Sequence, residues 1–357
     1  MAMPREVLER TLWAPVPRAL PRPAPWAVAA RKELWEHLPA WMFLVYGVLL
    51  LNTLLTNLTP ARPELAFITA FPLGVFAAYY VVRAWKAHDV RRRPQLLAWT
   101  LSLTVGLPLA ILAVHRPSPL SPETLRAAYE ISNLLWTGAL LYHAFKTRPS
   151  RAKLFFGAGL LYGALLENGG ILLGYFEETR LTLTFRPFVA PLSTMIGWCG
   201  VLYMAFFVVW NLRRWLPWLG RSAIASALLV ALVATLLDVA IDPVATAAGC
   251  WVWDRSLPPF LGAVPLVNFI AWMCAIAPFG YILFRYQGRA GIPDDASWHR
   301  RHVLFATGVV PLVLVVAATA FLVGITLTEG LAGPSWGLLM KHASGAFEAC
   351  ARVVGLG

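Results

Sequence analysis

Long apolar runs separated by short polar segments dominate this sequence. Nine of these runs reach about the 17 to 25 residues that an α-helix needs to cross the hydrocarbon core of a bilayer. The pattern predicts an all-α fold, a polytopic membrane helix bundle with about nine transmembrane helices. The predicted spans, with approximate bounds, are 41–58, 65–82, 96–114, 125–145, 154–175, 188–210, 223–241, 259–284 and 303–326.

Lysine and arginine are concentrated in every second loop. The N-terminal segment and the loops after predicted spans two, four, six and eight are basic, whereas the other loops are poorer in Lys and Arg or also carry acids. Basic loops stay in the cytoplasm, so the N-terminus is predicted to be cytoplasmic and the end of span nine outside. Three regions result: a Pro- and Arg-rich cytoplasmic arm (1–38), a transmembrane bundle (39–326) and an interfacial C-terminal tail (327–357), which is too polar to span.

Composition supports this class and argues against others. The chain is 59% hydrophobic and carries a net charge of +12, but its basic residues lie in short loops, so no nucleic-acid partner is expected. The four cysteines are scattered, and the sequence has neither a nucleotide-binding glycine motif nor a cluster of closely spaced histidines. We therefore expect no metal and no cofactor, and a di-iron oxygenase is disfavoured.

One apolar run, 154–175, contains a carboxylate next to a carboxamide, Glu167 and Asn168. An ionised acid in the middle of a membrane costs roughly 2.5 kcal/mol or more, so such residues are usually functional. Spacings of four, three and four residues would place small residues beside Glu167 on one helical face, and small residues allow a neighbouring helix to approach. That face comprises Gly163, Glu167, Gly170 and Gly174. Glu167 is therefore predicted to point into protein, as a functional acid or as a structural hydrogen-bonding group.

The predicted topology places further polar residues at the same depth, in the outer half of the bundle. They are Glu130 and Asn133 in span four, Asp238 and Asp242 in span seven, and Asn268 with Trp272 about two turns into span eight. Asp238 and Asp242 are four residues apart and share a helical face. Pro243 predicts that span seven ends at Asp242. Together these positions predict a single buried polar cavity.

Aromatic residues flank the predicted cavity. Trp251 and Trp253 lie between the two aspartates and Asn268 in sequence, either as part of an interfacial aromatic belt or as a lid or wall. Trp198, Trp272 and Tyr175 are further candidates for contact with a substrate. Burial favours the neutral form of a carboxyl, and aromatic faces stabilise cations. Acids, aromatics and amides that orient a water could therefore protonate and hydrate an alkene in a membrane-dissolved hydrocarbon.

Several short motifs succeed one another in a fixed order. They are Glu167-Asn168-Gly169-Gly170, Gly174-Tyr175-Phe176, Pro187 and Pro191 before Trp198, Asp238 to Asp242-Pro243, Gly249-Cys250-Trp251-Val252-Trp253, and Gly262 through Pro265 to Asn268, Phe269 and Trp272. In order and spacing, residues 155–284 resemble the bacterial and archaeal carotenoid-biosynthesis membrane proteins that include the CruF-type carotenoid 1,2-hydratases. The likeness is weaker over the first three spans, and the long arm and the tail depart from it.

The resemblance implies an enzyme that adds water across the terminal double bond of an acyclic carotenoid end group, giving a tertiary alcohol without a cofactor. Its substrate would be a carotenoid dissolved in the bilayer, and its location a prokaryotic plasma membrane, which the chain crosses several times. The positions carried over from the family are Glu167, Asp238, Asp242 and Asn268.

Other functions remain open from the sequence. A carotenoid or terpenoid cyclase would share the protonation step, and a proton-coupled transporter or lipid carrier would use the acids as a relay. For a hydratase, the two aspartates are assigned as proton donor, with Asp242 preferred because a helix end would give it access to outside water. Glu167 is assigned to the attacking water, supported by Asn168 and Asn268. The reverse assignment, with Glu167 as the acid, also stays open.

Overall fold

The computed structural model describes residues 32, 35–42, 79, 82, 121–147, 152–177, 183–289 and 309–354. Predicted spans one to three lie almost wholly outside these residues, as do most of the predicted arm and residues 303–308 of span nine. Within the arm, Lys32 and Glu36 form an ion pair one helical turn apart, at 3.8 Å.

The described chain is mainly helical. Its helices are α1 (Pro122–Thr147), α2 (Gly159–Leu172, preceded by a π-helical turn at Leu154–Ala158), α3 (Leu192–Trp215), α4 (Pro217–Arg221), α5 (Ala223–Ala247), α6 (Leu266–Arg289), α7 (Val310–Glu329) and α8 (Pro334–Val354). Four short strands were not predicted: β1 (Phe176–Glu177), β2 (Val252–Trp253), β3 (Pro259–Leu261) and β4 (Val264–Pro265).

Five described helices are long and apolar enough to cross a membrane. They are Phe155–Leu172, Leu192–Trp215, Ala223–Ala247, Leu266–Arg285 and Val310–Glu329, which correspond to predicted spans five to nine. This confirms a membrane protein built from helices. Predicted span four is also helical, as α1, but it is not among these five because polar residues such as Glu130, Asn133 and His143 make it less apolar. The total of nine spans and the cytoplasmic N-terminus stay predictions.

Helix α3 lies at the centre of the described bundle. It packs against α1, α2 and α5. In its most apolar 18-residue stretch, 83% of the residues are buried, compared with 22% in the corresponding stretch of α7. A helix that is apolar on all sides is buried in this way, or faces lipid. Glycines permit the closest approaches: a Cβ on Gly163 of α2 would lie 2.6 Å from the Cβ of Trp198, and a Cβ on Gly200 of α3 would lie 2.5 Å from Trp136 Nε1. The predicted close approach is confirmed at Gly163.

The predicted glycine face does not extend to Gly174. Helix α2 ends at Leu172, and Gly174 lies in the turn after it with φ 73°, a left-handed conformation that glycine adopts without strain. A Cβ at this position would collide with the imidazole of His342 in α8. Gly174 therefore serves as a turn and as a contact point for the C-terminal helix.

Helix α5 does not end where the sequence predicts. Pro243 favours a helix end at Asp242, but α5 continues through the proline to Ala247. Because proline has no backbone N–H, the carbonyl of Val239 loses its usual helical partner. Membrane helices tolerate such a proline when neighbouring segments pack around the freed group. The predicted end at residue 241 is wrong, and Asp238 and Asp242 lie on one continuous helix.

The predicted first residues of two spans, eight and six, are also wrong. Span eight was predicted from residue 259, but residues 259–265 form the antiparallel β3–β4 hairpin, with Gly262 at φ 62°, and α6 begins only at Leu266. Asn268 consequently lies in the first turn of α6 and not two turns into it. Span six was predicted from residue 188, but α3 starts after Pro191, whose backbone is extended.

Short strands and a C-terminal helix pack together at one end of the described bundle. Strand β1 pairs with β2, so the segment after α2 is joined to the loop after α5, and Tyr175 O accepts a hydrogen bond of 2.9 Å from Asp254 N. Residues 334–354 of the predicted tail form α8, which packs on α7. Glu329 accepts hydrogen bonds from Ser335 N and Oγ at 3.0 and 2.8 Å, and the Tyr175 hydroxyl donates to Ser335 O at 3.0 Å. The interfacial position of α8 stays a prediction.

The topology can be tested with reporter fusions. Fusions after Arg93, Arg151 and Arg289 are expected to report the cytoplasm, because each ends a basic loop segment that is retained inside. A fusion after Asp254, in the loop beyond α5, is the matched control and should report the outside. An outside signal from any of the first three fusions would contradict the nine-span topology.

Candidate active site

The described helices surround a cavity of about 380 Å³. Its walls come from α1, α2, α3, α5, α6 and α7, together with the segments directly after α2 and α5. Ten of the residues proposed from sequence line it. They are Glu167, Asp238, Asp242, Asn268, Asn133, Trp251, Trp253, Trp272, Trp198 and Tyr175. The predicted convergence of polar groups from separate spans into one site is therefore observed for these residues.

An aspartate pair and one amide form the polar centre of the cavity. Asn268 Nδ2 donates hydrogen bonds of 2.7 Å to Asp238 Oδ2 and 2.6 Å to Asp242 Oδ2. A carboxamide nitrogen carries two hydrogens, so it can serve both carboxyls at once. Asp238 and Asp242 are only 1% and 4% exposed. Because α5 stays helical through Pro243, both side chains point to the same face and meet Asn268 of α6.

The second oxygen of Asp238 is not engaged by Asn268. Asp238 Oδ1 is buried and accepts no hydrogen bond from any residue that the structure describes. A buried polar atom without a partner is costly, and such atoms in native proteins are usually satisfied by a proton, a water or a ligand. Asp238 Oδ1 is therefore a candidate position for a proton held by the pair.

Glu167 belongs to a second group of cavity residues, centred on two indoles. Its Oε1 accepts a hydrogen bond from Trp198 Nε1, and the Trp198 ring stacks on Trp272 with centroids 4.4 Å apart and an interplanar angle of 22°. The glycine at position 163 permits this arrangement, since any side chain there would collide with Trp198. A carboxyl group and a flat aromatic stack are thus held side by side in one cavity.

The loop after α5 supplies part of the aromatic wall. Trp251 packs edge-on against Tyr129 at 5.6 Å, and Trp253 packs against Phe176 at 5.1 Å. The sequence left open whether the two tryptophans belong to an interfacial belt or to the site, and the structure places both on the cavity. Trp253 Nε1 is a buried donor without a partner among the described residues. The neighbouring Asp254 is partly exposed, and hydrogen bonds from Ser256 hold the pKa of Asp254 below its ordinary value.

Two proposed site residues do not reach the cavity. Asn168 Oδ1 accepts hydrogen bonds from Val189 N at 2.7 Å and Ala190 N at 3.1 Å, and its Nδ2 donates to Ala164 O at 2.7 Å. Glu130 Oε1 accepts a hydrogen bond of 3.1 Å from Leu183 N. Both side chains hold the segment that precedes α3.

The sequence did not identify several aromatic residues that line the cavity, namely Tyr129, Trp136, Phe176 and Phe321. Tyr129 lies four residues before Asn133 and Trp136 three residues after it, so both share the helical face of Asn133. Their spacing alone could have identified them. Phe321 lies in an apolar span without a polar neighbour on its face, and no sequence pattern distinguishes it. As for metals, the described ranges contain no three His, Cys, Asp or Glu side chains that come together as ligands.

Asn168 offers a test of its structural role. Replacing Asn168 with Ala is expected to destabilise the protein by about 1–3 kcal/mol, because two backbone N–H groups lose their acceptor. The products made by the remaining folded protein should be unchanged, since the side chain does not line the cavity. Thermal unfolding and product analysis of the purified variant check this, and an altered product composition would contradict it.

Comparison with known proteins gives one finding. Residues 131–340 match the model of a protein family described as carotenoid biosynthesis protein. The match covers more than half of the chain and includes Glu167, Asp238, Asp242 and Asn268. No curated protein and no solved structure matches the chain.

Proposed function

This chain belongs to the carotenoid biosynthesis protein family, and from that membership we propose that it is a cofactor-independent carotenoid 1,2-hydratase. It would add water across the terminal 1,2 double bond of an acyclic carotenoid end group and release a tertiary alcohol. The observation that carries this proposal is the cavity itself, in which three carboxyl groups and a stacked indole pair surround an apolar space. Addition of water to an alkene changes no oxidation state overall, so acid chemistry suffices for it.

In the first step, the aspartate pair would donate a proton. Two carboxyls that share one amide donor in a buried site cannot both be ionised at low cost, so we assign one proton to the pair. Asp238 Oδ1 accepts no hydrogen bond from the residues that the structure describes, and we place the reactive proton there. The helix end that favoured Asp242 in the sequence is not observed. Protonation of the less substituted alkene carbon leaves a tertiary cation.

The aromatic wall would stabilise that cation. The stacked indoles of Trp198 and Trp272 line the cavity together with Glu167, and Trp251 is also on its wall. A cation over an indole face is stabilised by about 0.5–2 kcal/mol, more when the site is dry. A stack fixed by a hydrogen bond to Glu167 needs no rearrangement when the charge develops, which is the basis of electrostatic stabilisation of a transition state.

In the second step, Glu167 would direct water to the cation. Its carboxylate, oriented by Trp198, accepts the proton that the water loses as its oxygen bonds to the tertiary carbon. The aspartate pair has then lost one proton and Glu167 has gained one. Transfer of that proton back to the pair, through water in the cavity, restores the starting state. The net reaction is alkene plus water to tertiary alcohol.

Of the alternative functions, a cyclase would share the first proton transfer with a hydratase, whereas a transporter would not protonate the substrate. A cyclase would capture the same cation with an internal double bond, and the apolar walls would suit that outcome equally well. The carboxyl beside the indole stack favours hydration, because it supplies a group that can hold and deprotonate water. A transporter would need acids placed in series across the membrane, whereas Glu167, Asp238 and Asp242 share one cavity.

The origin of the new hydroxyl group is a direct test. Product made in heavy-oxygen water is expected to carry the label, because water is the nucleophile, and formation of the product should continue without dioxygen. Mass analysis of the extracted alcohol, with a parallel incubation under labelled oxygen gas as control, decides the point. Label arriving from the gas would exclude hydration.

A further inference from the structure

The cavity is too small for the whole of the proposed substrate. A compact space of about 380 Å³ is on the order of 10 Å across, the size of a pocket for a small molecule. An acyclic carotenoid is about as long as the hydrocarbon core of a bilayer is thick, roughly 30 Å. Only one end of such a chain fits beside the acids, so the rest must leave the cavity somewhere.

Two helices at the edge of the described bundle form an apolar slot that leads out of the cavity. We define the slot by Leu165 and Gly169 of α2 and by Leu314, Ala318 and Phe321 of α7, all of which line the cavity. Leu165 is 45% exposed and Ala318 is also exposed, so these residues face the cavity and the outside together. Both helices are long and apolar enough to cross a membrane.

Space remains open on the α2 side of the slot. Gly169 is helical, and a Cβ built on it would meet no atom of the described residues within 4 Å. This differs from Gly163 and Gly170 of the same helix, where a Cβ would collide with Trp198 and Phe176. Gly169 therefore is not needed for packing against a described neighbour, and its missing side chain widens the slot.

We propose that this slot admits the substrate sideways from the bilayer, with one end group inside the cavity and the remaining polyene outside, along the lipid-facing sides of α2 and α7. The chemical identity of the ligand rests on the proposed function. The exposed surface beside the slot suits such a chain, since Leu161 and Val315 are large apolar residues that are 42% and 63% exposed. The enzyme then recognises the end group, and each end of a substrate is processed in a separate encounter.

The slot can be closed without disturbing packing. Gly169→Leu and Gly169→Phe place a side chain in open space, and both residues favour a helix over glycine. Gly138→Leu is the matched control, because Gly138 of α1 is also helical and has no described neighbour within 4 Å of a built Cβ, but does not line the cavity. Ala318→Leu narrows the slot from the opposite helix and provides a second, independent variant.

Two readouts separate access from chemistry. The variants are expressed in a host that makes lycopene, and both the pigment that copurifies with each protein and the yield of altered pigment are measured. Closing the slot should lower both by on the order of tenfold or more, because the end group cannot reach its reacting position. Gly138→Leu should match the wild type, and Gly169→Ala should fall between.

Other outcomes overturn one proposal or both. The slot would be excluded if the Gly169→Phe and Ala318→Leu proteins unfolded like the wild type and bound as much pigment as the wild type. This holds whatever their yield of product. A wild-type protein that binds pigment without hydrating it would exclude the hydratase, while bound pigment would still test the slot. A wild-type protein that does neither would overturn both proposals.

Discussion

Replacement of Asp238 or Asp242 by Asn is expected to lower the rate of hydration by on the order of a hundredfold or more, the usual cost of losing a general acid. The amide is close in shape to the carboxyl but cannot supply a proton to the alkene. In either variant the remaining aspartate also loses the partner with which it shares a proton. Because Asn268 still has an acceptor on each side, the α5–α6 contact should persist.

Folding and activity can be separated in this experiment. The variants should insert into the membrane and unfold at temperatures close to that of the wild type. Asp254→Asn is the matched control, because it makes the same chemical change at a partly exposed loop residue that does not line the cavity. If both site variants retained near-normal activity, the aspartate pair would be structural and the mechanism wrong.

The second large effect is expected from replacing Glu167 with Gln, which should change the products but not the amount of substrate consumed. Glu167→Gln keeps an oxygen that can accept the hydrogen bond from Trp198, so the indole stack should remain in place. The amide cannot take a proton from water, so the cation formed by the aspartates would lose a proton or close a ring instead. We expect isomerised or cyclised pigment to replace most of the alcohol.

A companion variant tests how Glu167 is oriented. Trp198→Phe retains an aromatic face but removes the N–H donor, and it should shift the products in the same direction to a smaller extent. Chromatography and mass analysis of the pigments give both results. Complete loss of substrate consumption in Glu167→Gln would instead identify Glu167 as the proton donor, and a wild-type yield of alcohol would remove it from the mechanism.

The sequence predicted the site best where two signals coincided: helical spacing, and the free-energy cost of placing a charged or polar residue in a membrane span. Asp238 and Asp242 are four residues apart in an apolar run, so their shared face was predictable, and the alternation of basic loops placed Asn268 at a similar depth. The close approach at Gly163 was predictable for the same reason, because small residues beside a membrane acid indicate a packed neighbour. The contact of Glu167 with the indole of Trp198 needed the structure.

The predictions that proved wrong also have physical causes. Pro243 does not end α5 because the surrounding helices stabilise the proline within the span, an effect of tertiary contacts that local preference cannot show. Asn168 is polar and adjacent to Glu167, but the next residue of a helix points about 100° away, and here it meets the segment before α3. The strands β1 and β2 are very short and pair across a long intervening stretch of chain that includes α3 and α5, so no local pattern marks them.

The central claim is that this protein hydrates an acyclic carotenoid end group. The most direct measurement is expression of the intact chain in a host that makes lycopene, followed by extraction and mass analysis of the pigments, with an Asp238→Asn chain expressed in parallel. We expect new pigments heavier than lycopene by one water, or by two when both ends react, from the wild-type chain and none from the variant. Pigment of unchanged mass with an altered spectrum would contradict the account in favour of a cyclase, and unaltered lycopene would contradict both.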